Sequence, residues 1–264
     1  MMQDNSEKTV GVIGGLGPQA TLDFYSKVLK RTDAMIDQEH LQVIIHSNPK
    51  VPNRHDAIAG TGPSCAPSLV ATAQSLERAG ADFLVMVCNT AHAYENVIRA
   101  NTSIPFLSII EESVAACLQE VPTMRRVGVM AADGCLEANL YQNKFAEAGV
   151  ECILPSAESQ AKLMNLIFRI KANDSSREVA EAMHEIAQEL IEQGAEIIVA
   201  ACTEIPLVLH QSMLSRPLVS STDALVDAVI AFAGHEVSQS ALFEDDFQKL
   251  VSDVQRESVR VAAD

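Results

Sequence analysis

Residues 80–90 read GADFLVMVCNT, and residues 194–204 read GAEIIVAACTE. Aligned without gaps, the two segments share a Gly-Ala start, an apolar run and a cysteine, which is Cys88 in the first and Cys202 in the second. A short apolar run after a Gly-containing turn is typical of a strand buried on both faces of a parallel sheet. The sequence therefore predicts two similar halves, each with one cysteine at the carboxyl end of a central strand.

The rest of the chain alternates short apolar runs with longer helical patterns. A second similarity between the halves pairs VGVI at 10–13 with VGVM at 127–130, and Gly17 with Gly134. A helix is predicted after each cysteine, and in the first half it covers about 91–101. A turn and a helix are also predicted after the VGVM strand. The predicted strands lie at 9–13, 41–45, 82–87, from 104, and at 126–130, 150–154, 196–201 and 217–219.

Alternating strands and helices indicate parallel sheets with right-handed crossovers. We expect an α/β fold of two pseudo-symmetric domains, each a parallel sheet flanked by helices. The first domain is predicted to comprise residues 1–117 and 208–264, and the second residues 118–207. Residues 236–264 have a charged, helical pattern and are predicted to be peripheral. Because ligands bind beyond the carboxyl ends of parallel strands, both cysteines are expected in a cleft between the domains.

Composition excludes several classes of function. The chain has 264 residues with 19 Lys and Arg against 35 Asp and Glu, a formal net charge of −16. Nucleic acid requires a basic surface, so a nucleic-acid partner is not expected. The polar start MMQDNSEK lacks the apolar segment of a signal peptide, and no apolar run approaches the roughly 20 residues of a membrane span. We expect a cytoplasmic protein without a membrane partner.

The six cysteines do not form a C-x-x-C pair, so neither a zinc ribbon nor a thioredoxin-type motif is predicted, and we expect no metal. Free thiols in a reducing compartment are the simpler interpretation. Four of the thiols are interpreted as structural: Cys65, Cys117, Cys135 and Cys152.

Cys88 and Cys202 have a structural and a functional interpretation. A thiol at the end of a strand is often only a small buried hydrophobe. However, polar residues follow both thiols, Asn89–Thr90 and Thr203–Glu204, where a core favours apolar neighbours. A helix N-terminus after each thiol would also lower its pKa. Since the repeat places a thiol at the same step twice, we favour the functional interpretation.

The turn from Gly15 to Ala20 nearly matches the dinucleotide fingerprint G-x-G-x-x-[GA]. A nicotinamide site also needs an acidic residue at the end of the second strand, but that strand ends in His46-Ser47-Asn48. We therefore expect no nicotinamide cofactor. Backbone N–H groups at Gly15 could instead bind a carboxylate, and a plain tight turn is equally open.

Three further side chains are candidates for the cleft. Arg54 follows the second strand, and a guanidinium binds a carboxylate with two hydrogen bonds; a solvated arginine is the alternative. Lys171 ends a predicted helix, where it either favours the helix dipole or faces the cleft. His92 lies four residues after Cys88 and suggests a Cys-His pair, but we favour a packing role.

Two thiols on opposite faces of a bound molecule suit one reaction in particular. One thiolate removes a proton from a carbon atom, and the opposite thiol delivers a proton to the other face, which inverts the stereocentre without a cofactor. The carbanion then needs backbone N–H groups and polar side chains around the adjacent carboxylate.

The motifs VGVIGGLGPQAT, NPKVPNR, VMVCNTAH and AACTEIP closely resemble the aspartate racemase branch of the Asp/Glu racemase superfamily, and the resemblance covers residues 9–235. It implies a cofactor-independent amino-acid racemase with two pseudo-symmetric domains that is usually a homodimer. It also implies roles for individual residues. Cys88 and Cys202 would be the acid/base residues, Asn89, Thr90 and Thr203 would hold the substrate carboxylate, and Arg54 and Lys171 match basic residues near the substrate.

The sequence also differs from related families. Glutamate racemases usually carry Asp-Ser-Gly and Cys-Thr-His, where this chain has Gly14-Gly15-Leu16 and Cys202-Thr203-Glu204. Arylmalonate decarboxylase-like members need one thiol, and this chain has both. The run Ala131–Cys135 replaces the A-T-x-G-T of the resembled family, so both threonine hydroxyls are missing. We therefore predict a racemase of aspartate or a related amino acid.

Other functions stay open at this point. A broad-specificity amino-acid racemase and a lyase or isomerase of a small carboxylic acid are the nearest alternatives. A protein that binds a small acid without turnover and a pyridoxal phosphate enzyme are more remote, because both thiols are present.

Overall fold

A computed structural model describes residues 7–238 of the chain. Eight parallel strands form two four-stranded sheets with the same order of strands, β2-β1-β3-β4 and β6-β5-β7-β8. This arrangement confirms the predicted α/β fold of two similar sheets flanked by helices. The strands are β1 Val10–Gly14, β2 Val43–Ser47, β3 Phe83–Met86, β4 Phe106–Leu107, β5 Arg126–Ala131, β6 Glu151–Ile153, β7 Ile197–Ala201 and β8 Leu218–Ser220.

Helices connect the strands and cover the faces of the sheets. They are α1 Pro18–Arg31, α2 Arg54–Ile58, α3 Ala66–Arg78, α4 Glu95–Arg99, α5 Ile109–Glu120, α6 Asp133–Glu137, α7 Leu140–Glu147, α8 Ala157–Lys171, α9 Arg177–Glu192 and α10 Ser221–Ala233. Pro18 at the start of α1 has no N–H to leave unpaired, which favours a helix beginning there. None of the described helices is long and apolar enough to cross a membrane.

The two sheets share one hydrophobic core. Val10 and Val12 of the first sheet and Val127 and Val129 of the second are fully buried in a single cluster with residues of α5 and α10. The opposite face of the first sheet packs against α3, and that of the second packs against α8 and α9. Because both faces of each sheet are covered, the central strands are uniformly apolar.

The end of the described chain connects the two halves. Strand β8 pairs with β7 and so extends the second sheet, whereas α10 packs against α1 and α5. The isolated bridge between Thr32 and Val237 then returns the chain to the end of α1. The predicted division into residues 1–117 with 208–264 and residues 118–207 stays a prediction, and most of the predicted peripheral helix lies outside the described residues.

The segments after the two cysteines differ from the predicted long helices. After Cys88, a 3₁₀ turn at Thr90–Tyr94 precedes α4, which ends at Arg99. After Cys202, the chain forms a 3₁₀ turn at Ile205–Leu207, which ends where Val208 leaves the helical region with φ −135°. The helix predicted at about 91–101 is therefore wrong in length, and the helix predicted after Cys202 is wrong in type.

The helix predicted after β5 is divided in two. Asn139 adopts a left-handed conformation with φ 53°, which asparagine tolerates better than most residues. This conformation interrupts the helix and separates α6 from α7. The change of direction brings Tyr141 of α7 into the core, where it is fully buried.

Two glycines let helices pack directly onto the central strands. Gly11 of β1 and Gly128 of β5 occupy matching positions in the aligned halves. A Cβ at Gly11 would lie 3.1 Å from Cβ of Leu76 of α3, and one at Gly128 would lie 3.1 Å from Cβ of Leu190 of α9. The absent side chains therefore determine how closely the sheet and its outer layer approach in each half.

We predict that Gly128→Ala lowers the free energy of unfolding by about 1–3 kcal/mol, because the added methyl group overpacks a filled layer. Urea denaturation followed by circular dichroism measures the change. Ala161→Ser, which adds one heavy atom at an exposed position of α8, serves as the control and should change stability by only about 0.5 kcal/mol. A Gly128→Ala protein as stable as the control would contradict the close packing.

Candidate active site

Both cysteines of the repeat lie just beyond the carboxyl ends of the central strands. Cys88 follows β3 by two residues and Cys202 follows β7 directly, and each is 7% exposed. The polar residues that follow them are also buried, Asn89 and Thr90 in the first half and Thr203 in the second. Polar side chains at two buried strand ends are unusual for a core and typical of a ligand site.

The loop after β1 in the first half contacts the second half. A Cβ at Gly17 would lie 2.9 Å from Oε1 of Glu204 and 3.5 Å from Nζ of Lys171. Gly15 in the same loop has φ +86°, and its N–H donates to Oγ1 of Thr21 at 2.9 Å. The loop is therefore held by its own helix while Gly17 contacts Lys171 and Glu204.

The loop after β5 makes the corresponding contact in the opposite direction. The N–H of Gly134 donates to Nδ1 of His55 at 3.1 Å, and a Cβ at Gly134 would lie 3.0 Å from Cγ2 of Thr90. Since Gly134 matches Gly17 in the aligned halves, the contacts are reciprocal. The carboxyl ends of the two sheets therefore face each other.

Cys202 belongs to a buried polar cluster with Glu204 at its centre. Oε2 of Glu204 accepts from Sγ of Cys202 at 3.1 Å and from Oγ1 of Thr203 at 3.3 Å. Oε1 of Glu204 forms a short ion pair with Nζ of Lys171, whose side chain is 30% exposed. Three donors therefore satisfy this buried carboxylate.

The electrostatics of Cys202 oppose the expectation from sequence. Burial raises the pKa of the Cys202 thiol well above its usual value, and Glu204 raises that pKa further, while Lys171 and the N–H of Glu204 act in the opposite sense. The N–H of Glu204 lowers this pKa in the direction predicted from sequence, but burial and the carboxylate of Glu204 outweigh it. The 3₁₀ turn after it is too short to offset burial and a neighbouring carboxylate.

Lys171 connects the two thiols electrostatically. Burial lowers the pKa of its ammonium, but Glu204 and both cysteines together outweigh burial and raise that pKa. Both Cys88 and Cys202 thus lie close enough to Lys171 to interact with its charge. Of the two roles considered from sequence, the geometry favours the cleft, because Lys171 pairs with Glu204 and faces Gly17.

His92 supports the main chain of Cys88. The N–H of Ile109 donates to Nε2 of His92 at 3.2 Å, so the ring proton lies on Nδ1 and is donated to the carbonyl of Cys88 at 2.8 Å. Burial lowers the pKa of His92, which favours this neutral ring. His92 therefore bonds the backbone of Cys88, as expected of the packing role favoured from sequence.

Asn89 is part of a hydrogen-bonded network that the sequence did not reveal. Its Nδ2 donates to Oγ of Ser221 at 3.0 Å, and its Oδ1 accepts from the hydroxyl of Tyr141 at 2.6 Å. The Tyr141 hydroxyl also lies 3.2 Å from Oγ of Ser113. The side chain of Asn89 thus connects α5, α7 and α10 behind the cysteine.

Arg54 is held by backbone carbonyls of its own half. Nη1 donates to the carbonyls of Pro52 at 3.1 Å and Val51 at 3.4 Å, and Nη2 donates to that of Leu16 at 3.1 Å. The guanidinium therefore bridges the loops after β1 and β2. Its neighbour His55, which sequence reasoning missed, contacts Gly134, and burial lowers the pKa of His55.

The other four cysteines have raised pKa values because they are buried. Burial raises the pKa of Cys117 to about 12 and that of Cys152 to about 11. It also raises the pKa values of Cys65 and Cys135. Among residues 7–238, no group of three or more His, Cys, Asp or Glu side chains could hold a metal ion.

Comparison with known proteins fits this geometry. The Asp/Glu/Hydantoin racemase family matches residues 13–229, which include both thiols and both glycine loops. The chain belongs to this family. It is a racemase family, of the isomerase class, that works without pyridoxal phosphate, so the family and the enzyme class predicted from the motifs are confirmed.

The activities named for individual relatives differ. The chain is 27% identical over 232 residues to the broad specificity amino-acid racemase RacX of Bacillus subtilis, covering 84% of this chain and 96% of that protein. The aspartate racemase of Picrophilus torridus superposes with a TM-score of 0.80 at 26% identity, covering 89% and 97%. An aspartate racemase homologue from Pyrococcus horikoshii has the same fold, with a TM-score of 0.70 at 24% identity over 86% and 99%.

We predict that His92→Phe destabilises the protein by about 2–4 kcal/mol at pH 7.5, because it leaves the N–H of Ile109 and the carbonyl of Cys88 without partners. Urea denaturation measures this loss. His184→Phe on α9, at a partly exposed position, is the matched control and should cost only about 0.5 kcal/mol.

The same variant tests the pH dependence of stability. A histidine whose pKa is lowered in the folded state is protonated first in the unfolded chain, so stability should decline as the pH falls below about 6.5. His92→Phe should flatten this decline, and His55 should account for part of the remainder. An unchanged pH dependence in the variant would contradict a neutral, buried His92.

Proposed function

We propose that this protein is a cofactor-independent racemase of aspartate or a related amino acid, in which Cys88 and Cys202 transfer protons at the α-carbon. The observation that carries the proposal is the reciprocal contact of the two glycine loops, which turns the ends of β3 and β7 toward each other. Family membership supports an amino-acid substrate.

The proposed reaction needs one thiolate and one thiol. The thiolate of one cysteine takes the α-proton, and electrons of the broken C–H bond are delocalised into the substrate carboxylate. The thiol of the other cysteine then gives its proton to the opposite face, so the stereocentre is inverted and the thiol has become a thiolate. The two cysteines exchange roles for the other enantiomer.

Neighbouring groups would bind the substrate and stabilise the carbanion. We assign Thr90, Thr203 and the backbone N–H of Asn89 to the α-carboxylate, since the side-chain amide of Asn89 already bonds Ser221 and Tyr141. Gly15 would line the same site. Arg54 and Lys171 would supply the positive charge, which is effective because the surrounding residues are buried and the dielectric is low. The strongly acidic chain makes these local cations necessary for any anionic substrate.

The range of substrates is part of the proposal. Ala132 and Cys135 are 2% and 0% exposed, and they replace the two threonines of the resembled motif. Two fewer hydroxyl groups provide less recognition of a side-chain carboxylate. Broad specificity, as the name of the Bacillus subtilis relative states for that protein, is therefore the alternative to aspartate.

Deuterium exchange tests the chemistry. In heavy water, L-aspartate should give D-aspartate together with deuterium at the α-carbon, and a panel of amino acids identifies the preferred substrate. We expect Cys88→Ser and Cys202→Ser each to lower racemisation by at least about 10³-fold, because a hydroxyl is a poor acid/base at neutral pH.

The matched control is Cys152→Ser, which changes a half-buried thiol on β6 outside the cluster and should keep near-normal turnover. Near-normal turnover in either Cys88→Ser or Cys202→Ser would refute the two-thiol mechanism. Release of carbon dioxide without α-proton exchange would indicate a lyase, and binding without exchange would indicate a binding protein.

We also propose that the protein is a homodimer and cytoplasmic. All six cysteines are free thiols, which suits a reducing compartment. The outer surface of α1 and the following loop is unusually apolar, with Leu22 62%, Leu29 37%, Met35 89% and Ile36 56% exposed. Several exposed apolar side chains in one segment favour contact with a second copy of the chain.

We predict that the double variant Leu22→Glu, Leu29→Glu shifts the protein toward the monomer in sedimentation velocity, because charges at an apolar contact must be desolvated. Phe168→Glu, on α8 and 52% exposed, is the control and should leave the sedimentation coefficient unchanged. Dissociation by the control alone would place the interface elsewhere.

A further inference from the structure

We propose that Glu204 is a positioning residue that holds the proton of Cys202 on sulfur in the resting protein, so that Cys88 starts as the base. The inference rests on the proposed racemase function for its consequence, but the proton on Cys202 can be tested without any substrate. It assigns to Glu204 a role beyond that of an ion-pair partner for Lys171.

The geometry around Glu204 favours a protonated Cys202. Its Oε2 accepts from Sγ of Cys202 at 3.1 Å, and a thiolate would have no proton to donate there. Ionisation of Cys202 would place two negative charges in direct contact in a buried site, where their repulsion is strong. The structure therefore favours the neutral thiol, in agreement with the raised pKa of Cys202.

The first half offers no equivalent carboxylate at this position. In the aligned halves Thr90 occupies the place of Glu204, so a neutral hydroxyl stands where the second half has a charge. Cys88 also lies near enough to Lys171 to interact with its ammonium. The repulsion that keeps the proton on Cys202 therefore has no counterpart from the residue two positions after Cys88.

Lys171 compensates the negative charge of Glu204. Glu204 is buried, and a buried charge is stable only when it is paired and hydrogen-bonded. The ion pair with Lys171 and the hydrogen bond from Thr203 keep Glu204 able to accept from the thiol. The other groups that act on this cluster are Cys88 and, through Lys171, the partly buried His55.

During turnover the two thiols would exchange protonation states. After Cys88 has taken the α-proton and Cys202 has donated its own, Cys88 is a thiol and Cys202 a thiolate beside Glu204. Repulsion by Glu204 makes this second state less stable than the first. The resting state returns when Cys202 takes up a proton and Cys88 releases one. This exchange occurs either with solvent or by reaction of the opposite enantiomer.

Alkylation by iodoacetamide measures the difference directly, because only thiolate reacts appreciably. Both thiols are 7% exposed, so access alone does not favour either. Mass spectrometry of the two cysteine peptides across pH 6–9 should show that Cys88 reacts at least about tenfold faster than Cys202, equivalent to one pKa unit. Equal rates in the unmodified protein would overturn the proposal without any variant.

Glu204→Gln should accelerate alkylation of Cys202 by at least about tenfold, because it removes the negative charge and leaves Lys171 beside the thiol. The rate at Cys88 should change much less. Glu204→Asp retains the charge and should keep Cys202 slow, and Glu178→Gln, at an exposed position of α9, should match the unmodified protein. An unchanged Cys202 rate in folded Glu204→Gln would overturn the role.

Racemisation assays separate this inference from the proposed function. In Glu204→Gln, the alkaline limb of the plot of racemisation rate against pH should move to lower pH. The reason is that Cys202 then ionises at lower pH, so that both cysteines become thiolates. A purely structural role for Glu204 would lower activity without moving that limb. If the unmodified protein exchanges no α-proton, the proposed function fails while the alkylation result still decides the role of Glu204.

Discussion

The reciprocal contact of two glycine loops is the constraint on which the candidate site depends. Gly17 lies against Glu204 and Lys171 of the second half, and Gly134 lies against His55 and Thr90 of the first. A side chain at either glycine would crowd groups of the other half, since its Cβ would lie 2.9 Å from Oε1 of Glu204 at position 17 or 3.0 Å from Nδ1 of His55 at position 134. Only such close approach brings the strand ends of two separate sheets into one buried site.

The shared core makes this approach rigid. Helices α5 and α10 pack between the sheets, and a single buried cluster contains strands of both. Behind Cys88, the network of Asn89, Tyr141 and Ser221 adds polar connections between elements of both halves. A buried network whose members are all hydrogen-bonded specifies one arrangement more sharply than apolar packing alone. The thiols are therefore carried on elements that have little freedom to separate.

The sequence predicted the sheets and the thiols well because both depend on local patterns. The strand expected at 82–87 is Phe83–Met86, and the one expected at 196–201 is Ile197–Ala201. Apolar runs this short, between Gly-Ala turns and polar residues, leave few other solutions. Most contacts of His92 and Asn89 could not be predicted, because the partners Ile109, Tyr141 and Ser221 are distant in sequence. The backbone dihedrals of Val208 and Asn139, which shorten or divide the predicted helices, depend on tertiary packing in the same way.

Two similar halves create a chemical problem that the structure also addresses. A two-base mechanism requires one thiolate and one thiol at the start. If the two halves surrounded their cysteines identically, both thiols would have the same pKa. The aligned halves differ where Thr90 corresponds to Glu204, and that carboxylate contacts the thiol of its own half. A charge in one half but not the other breaks the equivalence while both thiols keep the same exposure. On this argument, the departure from the repeat next to the second cysteine is as important to the proposed reaction as the repeat itself.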